Sequence, residues 1–342
     1  MAFFDKRVHS LRQRSEKDSQ PLPKFTLGAI NRDGSFHYAK AFGDEVDKPH
    51  GTNSVHWLAS VIKFITTIAV MQCVEKGQLD LDGDIAKVLP EFKDPQILTG
   101  FNEKNEAIFK PSTKPVTLRQ APIDSLQRHC LCVHESASDS LPRVEETPTL
   151  ANRSIAQKFP HRFLVFEPGE RWVYSPGLYW AGLADAIFHP ELREDLQARK
   201  ARNWERDSQS LKEQPKPVYA ENTLHDFGGG GSFATVEDLL KIYQSVLIAK
   251  LLRPETAKEM FQPHLENIGG LDKPEEYSSS TRNAIWNTVP DDVPLNFRIG
   301  WIDLNNDVAD LYLSQLLPTG DEKAIDILAE FEEFVYSSLD KS

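Results

Sequence analysis

A serine and a lysine three positions apart, Ser60 and Lys63, form an S-x-x-K pattern inside an apolar stretch of the chain. If a helix begins here, the serine hydroxyl lies in its first turn, near unpaired backbone N–H groups and the positive end of the helix dipole. Lys63 then lies on the same face, one turn deeper. Its neighbours Ile62, Phe64 and Ile65 exclude water, which favours the uncharged amine. A neutral amine beside a hydroxyl is a general base beside a nucleophile, so the pattern predicts acyl-transfer chemistry.

The same four residues also have a purely structural interpretation. S-x-x-K is a short pattern, and a lysine at this position can extend its amine from an ordinary amphipathic helix into water. The apolar residues around Lys63 and a second motif downstream favour the catalytic interpretation.

The second motif is the aromatic-rich segment Glu167–Gly182, which contains Tyr174. One interpretation is a turn at Pro168-Gly169 followed by aromatic side chains packed in the core. The other makes Tyr174 a phenol that exchanges a proton with Ser60 and the leaving group, because a tyrosine held near a lysine can act as acid and base. Because this motif occurs together with the S-x-x-K pattern, we favour the catalytic interpretation of Tyr174.

The composition limits the classes of function. The chain has 342 residues, 40% of them hydrophobic, which is enough for a large core. Its net charge of −12 argues against a nucleic-acid partner, and the broken basic run Arg199–Arg206 is typical of a solvated helix face. No apolar stretch reaches membrane-spanning length, and the first residues lack the apolar region of a signal peptide. The odd cysteine count of 3 indicates a reducing compartment, so we expect a cytoplasmic protein without a membrane partner.

Metal and cofactor sites are not expected. Cys130, Cys132 and His134 would share one face of a strand and could bind zinc, but no second pair of zinc ligands with suitable spacing accompanies them. The chain also lacks the G-x-G-x-x-G, P-loop, H-E-x-x-H and G-x-S-x-G patterns. The glycine run Gly228–Gly231 is therefore interpreted as a loop or a flexible approach to a cleft.

Hydrophobic periodicity and turn residues predict elements at both ends of the chain and between them. We predict a loop-rich region over residues 80–150. The predicted strands and turns are the hairpin Phe25–Ile30 and Ser35–Phe42 around Asn31–Gly34, and the hairpin Arg298–Leu304 and Val308–Leu316 around Asn305–Asp307. The predicted helices are 3–16, 60–76 ending at Gly77, a polar helix over 190–215, Glu237–Ile248 capped by Thr235, and Glu322–Leu339.

With these motifs, the chain resembles the serine β-lactamase-like superfamily, which includes penicillin-binding proteins, class C β-lactamases and family VIII carboxylesterases. Within it, the sequence is most similar to the fungal transesterases of the lovastatin side-chain acyltransferase type. The stretches that carry the resemblance are Ala41–Gly43, Leu58–Leu89, Val116–Arg119, Pro168–Gly182, Phe227–Gly231, Leu313–Asp321 and Phe331–Tyr336.

The resemblance implies an α/β fold, an α+β sandwich of the β-lactamase/transpeptidase type with an antiparallel sheet flanked by helices and a helical lobe. Residues 1–342 would form one domain, with the sheet drawn from about 20–45 and 297–317 plus the terminal helices, and the helical lobe from about 60–270. It also implies that Ser60 is the acylated nucleophile, Lys63 its base and Tyr174 the second acid–base, without a cofactor.

The implied function is a serine-dependent acyltransferase of secondary-metabolite biosynthesis. The donor would be an ester or a thioester, including one on a polyketide synthase carrier protein, and the acceptor a small-molecule alcohol. A carboxylesterase or β-lactamase-like hydrolase stays open, because water and alcohol attack the same acyl-enzyme. A degenerate, non-catalytic relative also stays open.

Internal shortening motivates that last alternative. Relatives carry a strand with a third active-site motif where Pro294–Trp301 runs directly into the final hairpin, and the residues after Gln120 also depart from the pattern. The missing strand would supply one of the N–H donors to the oxyanion. Loss of such a donor typically lowers the rate by about 10²–10³-fold, so we expect impaired turnover.

Overall fold

The computed structural model describes residues 2–17, 21–43, 50–104, 106–119, 163–164, 166–170, 198–207, 210–214, 232–262, 301–317 and 321–339. The helices in these ranges are α1 (Ala2–Lys17), α2 (Ile62–Glu75), α3 (Val236–Leu247), α4 (Pro254–Met260) and α5 (Glu322–Leu339). The strands are β1 (Phe25–Asn31), β2 (His37–Phe42), β3 (His56–Trp57), β4 (Gln96–Phe101), β5 (Ala107–Pro111), β6 (Phe163–Leu164), β7 (Asn203–Arg206), β8 (Leu211–Gln214), β9 (Phe233–Ala234), β10 (Trp301–Asp303), β11 (Val308–Ser314) and β12 (Leu316–Leu317). Short 3₁₀ turns occur at Ala59–Val61, Ile85–Lys87 and Pro90–Phe92.

The largest sheet combines strands from the beginning and the end of the chain. Its order is β10-β11-β1-β2, and all of its pairs are antiparallel. Both predicted hairpins are confirmed: β1 pairs with β2, and β10 pairs with β11. Gly34 adopts a φ of +74° in the first turn, a conformation that glycine adopts without steric penalty.

Helices cover both faces of this sheet, and β1 is consequently buried on both sides. Its alternate residues Phe25, Leu27 and Ala29 face a cluster that includes the terminal helices α1 and α5. There the ring of Phe4 stacks on that of Phe334, with centroids 4.5 Å apart. The predicted helices at both ends of the chain are confirmed.

Helix α3 packs against the opposite face of the sheet at very short range. A Cβ placed on Gly28 of β1 would lie 2.4 Å from Val236 Cγ2, so glycine is required for this approach. Thr235 caps the helix: its Oγ1 accepts a hydrogen bond from Asp238 N at 3.2 Å and donates one to Asp238 Oδ2 at 2.8 Å. The capping pattern predicted for this helix is confirmed.

The prediction of a polar helix over 190–215 is wrong for residues 200–207 and 210–214, although Ala198 and Arg199 are helical. Strands β7 and β8 form an antiparallel hairpin here, and Asp207 closes its turn by accepting a hydrogen bond from Ser210 N at 2.7 Å. The reason is a tertiary contact, because β7 pairs in parallel with β12 from the far end of the chain. Sheet pairing overrides the helix preference of a charged segment that could equally form a solvated helix.

The region predicted to be loop-rich also contains a hairpin. Strands β4 and β5 pair antiparallel with a bulge near Gly100, and β6 adds a parallel neighbour. The side chain of Asn102 accepts hydrogen bonds from Lys104 N and Glu106 N, both at 2.9 Å, and thereby orders the connection. In the ranges that the structure describes, no helix combines the length and the apolarity needed to cross a membrane.

The close approach of α3 to β1 generates a stability prediction. In Gly28→Ala, the new Cβ would meet Val236 Cγ2, so we expect the free energy of unfolding to fall by about 1–3 kcal/mol. The same change in a Val236→Ala background should be less destabilising, because the obstructing methyl group is gone. Urea unfolding of the four proteins measures the coupling energy. Equal losses in both backgrounds would contradict the contact.

Candidate active site

Ser60 lies in the 3₁₀ turn Ala59–Val61, which joins strand β3 to helix α2. Val61 N donates to Leu58 O at 3.0 Å and closes the turn, and the α-helix proper begins at Ile62. Ala59 has a φ of +46°, in the left-handed region that residues with a side chain rarely adopt. Such strain is concentrated at functional sites. The predicted helix start at Ser60 is therefore confirmed, with a first turn of the 3₁₀ type.

Strand β3 ties this turn to distant parts of the chain. Along one edge it pairs antiparallel with β9, and Leu58 N donates to Ser232 O at 2.9 Å. Along the other edge, Val55 N donates to Arg199 O at 2.9 Å and Ala201 N donates to Val55 O at 2.7 Å. The strand that leads to Ser60 thus lies between two chain segments that are remote from it in sequence.

Lys63 is buried, with only 3% of its surface exposed. This decides against the alternative in which its amine extends into solvent. Ile62, Phe64 and Ile68 around it are buried in the cluster that also contains α3, as the apolar pattern predicts. The polar residue Thr67 donates from Oγ1 to Lys63 O at 2.9 Å and is itself fully buried. Helix α2 therefore places a lysine inside the protein within one turn of the serine.

Several of the predicted site residues lie outside the described ranges. They are Tyr174, the zinc candidates Cys130, Cys132 and His134, the glycine run Gly228–Gly231, and the segment Pro294–Gly300 where the third motif is expected. Their interpretations stay predictions. Among the residues that the structure does describe, no cluster of histidine, cysteine or acidic side chains could hold a metal ion.

The turn that leads to Tyr174 is described, and it is anchored by Glu167. The Glu167 carboxylate accepts hydrogen bonds from Ser112 Oγ at 2.9 Å and from Thr113 N at 3.0 Å. Burial, the largest single influence, raises the pKa of Glu167, but these hydrogen bonds together with a nearby lysine outweigh it and hold the pKa below its usual value. Gly169 has a φ of +84°, as the Pro168-Gly169 turn predicts. Sequence reasoning did not assign this anchoring role to Glu167, although an acidic residue directly before a Pro-Gly turn was a usable signal.

His56 is a second residue that sequence reasoning missed. It lies in β3 with 1% of its surface exposed, and its Nδ1 lies 3.1 Å from Ser54 O. Burial, followed by the neighbouring His50, lowers the pKa of His56 to about 3. The imidazole is therefore neutral at physiological pH. No sequence pattern distinguishes it from the other histidines, because its burial depends on the packing of β3.

The family follows from comparison with known proteins. Residues 28–302 match the Beta-lactamase family. The chain belongs to this family. The lovastatin esterase of Penicillium rubens is 32% identical over 271 residues, which cover 69% of this chain and 68% of the esterase. Monacolin J acid methylbutanoyltransferase of Aspergillus terreus is 27% identical over 297 residues, which cover 74% of this chain and 70% of the transferase.

Solved structures show the same fold for this Beta-lactamase family member. A LovD6 mutant of simvastatin synthase from Aspergillus terreus has a TM-score of 0.81 at 21% identity, covering 100% of this chain and 99% of that one. EstCE1, a hydrolase with promiscuous acyltransferase activity, has a TM-score of 0.60 at 16% identity, covering 96% and 98%. The predicted β-lactamase/transpeptidase-like fold is confirmed. The protein is an enzyme, and its relatives are esterases and acyltransferases.

The buried His56 generates a prediction of pH-dependent stability. In the unfolded chain, His56 binds a proton with its ordinary pKa of 6.5. In the folded protein, its pKa is lowered to about 3. The neutral His56 therefore contributes its full stabilisation above pH 6.5. As the pH falls from 6.5 toward 3, the free energy of unfolding decreases by about 1.4 kcal/mol per pH unit. Urea unfolding at a series of pH values should show that the free energy of unfolding decreases less steeply below pH 6.5 in His56→Asn than in wild type. His9→Asn changes an exposed histidine and serves as the control. An equally shallow pH dependence in that variant would contradict the assignment to His56.

Proposed function

We propose that this Beta-lactamase family member is a serine-dependent acyltransferase that acts through an acyl-enzyme at Ser60. Lys63 takes the proton of the Ser60 hydroxyl as its oxygen attacks the acyl carbonyl, and Tyr174 exchanges a proton with the leaving group. An alcohol then attacks the acyl-enzyme with the reverse proton transfers and carries the acyl group away. The side chains of the protein perform every proton transfer, so the scheme uses no cofactor.

The burial of Lys63 carries this proposal. A lysine with 3% of its surface exposed has lost most of its hydration, and loss of hydration disfavours the ammonium form. An uncharged amine can accept the serine proton, whereas a solvated lysine at physiological pH cannot. The strained turn supports the same role, since the φ of +46° at Ala59 immediately precedes Ser60. Strain of this kind requires compensating contacts and is typical of residues held for chemistry.

For the substrates, we propose a thioester or ester donor and an alcohol acceptor on a secondary metabolite. The likeness to a methylbutanoyltransferase supports this class, and a polyketide synthase carrier protein is one source of such a thioester. We further propose that residues 1–342 act as one domain. Pairing of β12 with β7, and of β3 with β9, supports this, because both pairings join segments that are far apart in the chain.

A carboxylesterase is the second candidate, and the 32% identity to lovastatin esterase favours it. The two activities share the acyl-enzyme and differ only in whether water or an alcohol attacks it. Incubation with an acyl thioester, with and without a small alcohol at millimolar concentration, separates them. Ester formation in excess of free acid supports the transferase, and free acid as the main product at every alcohol concentration supports the esterase.

Covalent labelling tests the nucleophile. A fluorophosphonate should add to wild type, and peptide mapping should place the added mass on the tryptic peptide that ends at Lys63. Ser60→Ala should abolish the label, because it removes the hydroxyl of the proposed nucleophile. Ser54→Ala, which changes a second serine of the same tryptic peptide, is the matched control and should keep the label. A label that survives in Ser60→Ala would overturn the assignment.

Mutant kinetics test whether Lys63 and Tyr174 act as one proton-transfer unit. Lys63→Ala and Tyr174→Phe should each lower kcat/KM by about 10³-fold or more, and the double variant should be little worse than the poorer single. Lys63→Arg should also be inactive, since a guanidinium does not deprotonate to act as a base. Losses that simply add in free energy would show that the two residues work independently.

A further inference from the structure

The side chain of Gln315 forms a two-point contact with the strand that leads to the proposed nucleophile. Trp57 N donates to Gln315 Oε1 at 3.1 Å, and Gln315 Nε2 donates to Trp57 O at 3.1 Å. Gln315 itself lies between β11 and β12, so the two residues are 258 positions apart in the chain. The contact joins the end of a central sheet strand directly to the strand before Ser60.

The Gln315 amide pairs with the backbone of Trp57 as a neighbouring strand would. Backbone groups of successive strand residues point to alternate edges, and Leu58 N bonds to β9, so the N–H and C=O of Trp57 point to the opposite edge. On that edge Val55 pairs with residues 199–201, and the backbone of Trp57 pairs with the side chain of Gln315. A glutamine amide carries the same donor and acceptor as a peptide group. Gln315 therefore continues the hydrogen-bonded edge by one residue.

The amide is itself held in place. Gln315 Nε2 also donates to Ser314 O at 3.2 Å, and the backbone oxygen of Gln315 accepts from Trp204 N at 2.7 Å. Between Trp57 and Ser60 lies Ala59, the residue with a positive φ of +46°. A turn of this kind persists only when the structure on both sides restrains it. Helix α2 restrains the downstream side, and Gln315 restrains the upstream side.

We propose that Gln315 is a positioning residue for Ser60, which holds the strained turn in its reactive geometry by pairing with the backbone of Trp57. This inference rests on the proposed function, in which Ser60 is the nucleophile. It assigns to Gln315 an effect on the rate of acylation and not on the recognition of the acyl donor, since the hydrogen bonds of its amide to described residues all go to protein backbone.

Removal of the amide is tested with Gln315→Met, which keeps the length of the side chain. The matched control is Gln72→Met on α2, where the amide Nε2 donates to Leu251 O at 2.9 Å. With a fluorophosphonate and with a p-nitrophenyl ester, Gln315→Met should acylate about 10- to 100-fold more slowly than wild type, mainly through kcat, with KM nearly unchanged. The acylation rate of Gln72→Met should stay within about twofold of the wild-type rate, even if its Tm falls as much as that of Gln315→Met. The reason is that the Gln72 amide lies outside the turn.

A second variant gives a readout that a purely structural role would not change. In Gln315→Glu, the ionised carboxylate cannot donate to Trp57 O, whereas the protonated acid can both donate and accept. The acylation rate of this variant, divided by that of wild type at each pH, should therefore rise as the pH is lowered from 7.5 to about 5, toward the ordinary range of a carboxylic acid. This ratio removes the pH dependence that both proteins share. The comparison stays available if Gln315→Met does not fold.

The outcomes separate this inference from the proposed function. Labelling that survives in Ser60→Ala overturns the proposed function and the inference with it. Loss of label in Ser60→Ala, together with wild-type acylation rates in Gln315→Met and a flat rate ratio for Gln315→Glu, overturns the inference alone. Slow acylation in Gln315→Met with normal KM, normal rates in Gln72→Met and a ratio that rises at low pH support it.

Discussion

Hydrogen bonding of β3 along both edges is the constraint on which the arrangement of this site depends. The strand has only the residues His56 and Trp57, which is too short to be stable by itself. Strand β9 satisfies one edge, and residues 199–201 with the Gln315 amide satisfy the other. Since unpaired buried backbone groups are costly, the strand has one favourable position. The turn with Ser60 begins where this strand ends. Its position therefore depends on three segments that are remote in sequence: β9, residues 199–201 and Gln315.

The second constraint is the burial of a lysine in an apolar cluster. A buried lysine such as Lys63 destabilises the fold unless its charge is lost or compensated. The property that weakens the core is the one that makes a lysine useful as a base. Stability and chemistry are thus opposed at one side chain.

Two polar anchors lie beyond the proposed nucleophile. Glu167 fixes the Pro168-Gly169 turn to the end of β5, and His56 contributes a neutral imidazole inside β3. Neither takes part in the proposed proton transfers. Both lie in chain segments that lead to proposed catalytic residues.

The sequence alone determined the features that arise from neighbouring residues. The turn residues Asn31–Gly34 specify a hairpin, Thr235 caps its own helix, and the apolar residues around Lys63 define a buried helix face, because each depends on contacts within a few positions. Tertiary structure decided the rest. The charged residues 203–206 and 211–214 form strands beside β12. The Gln315 amide bonds to two backbone groups of Trp57, 258 positions away. Such pairings are set by which edges the folded chain leaves open, and no local pattern carries that information.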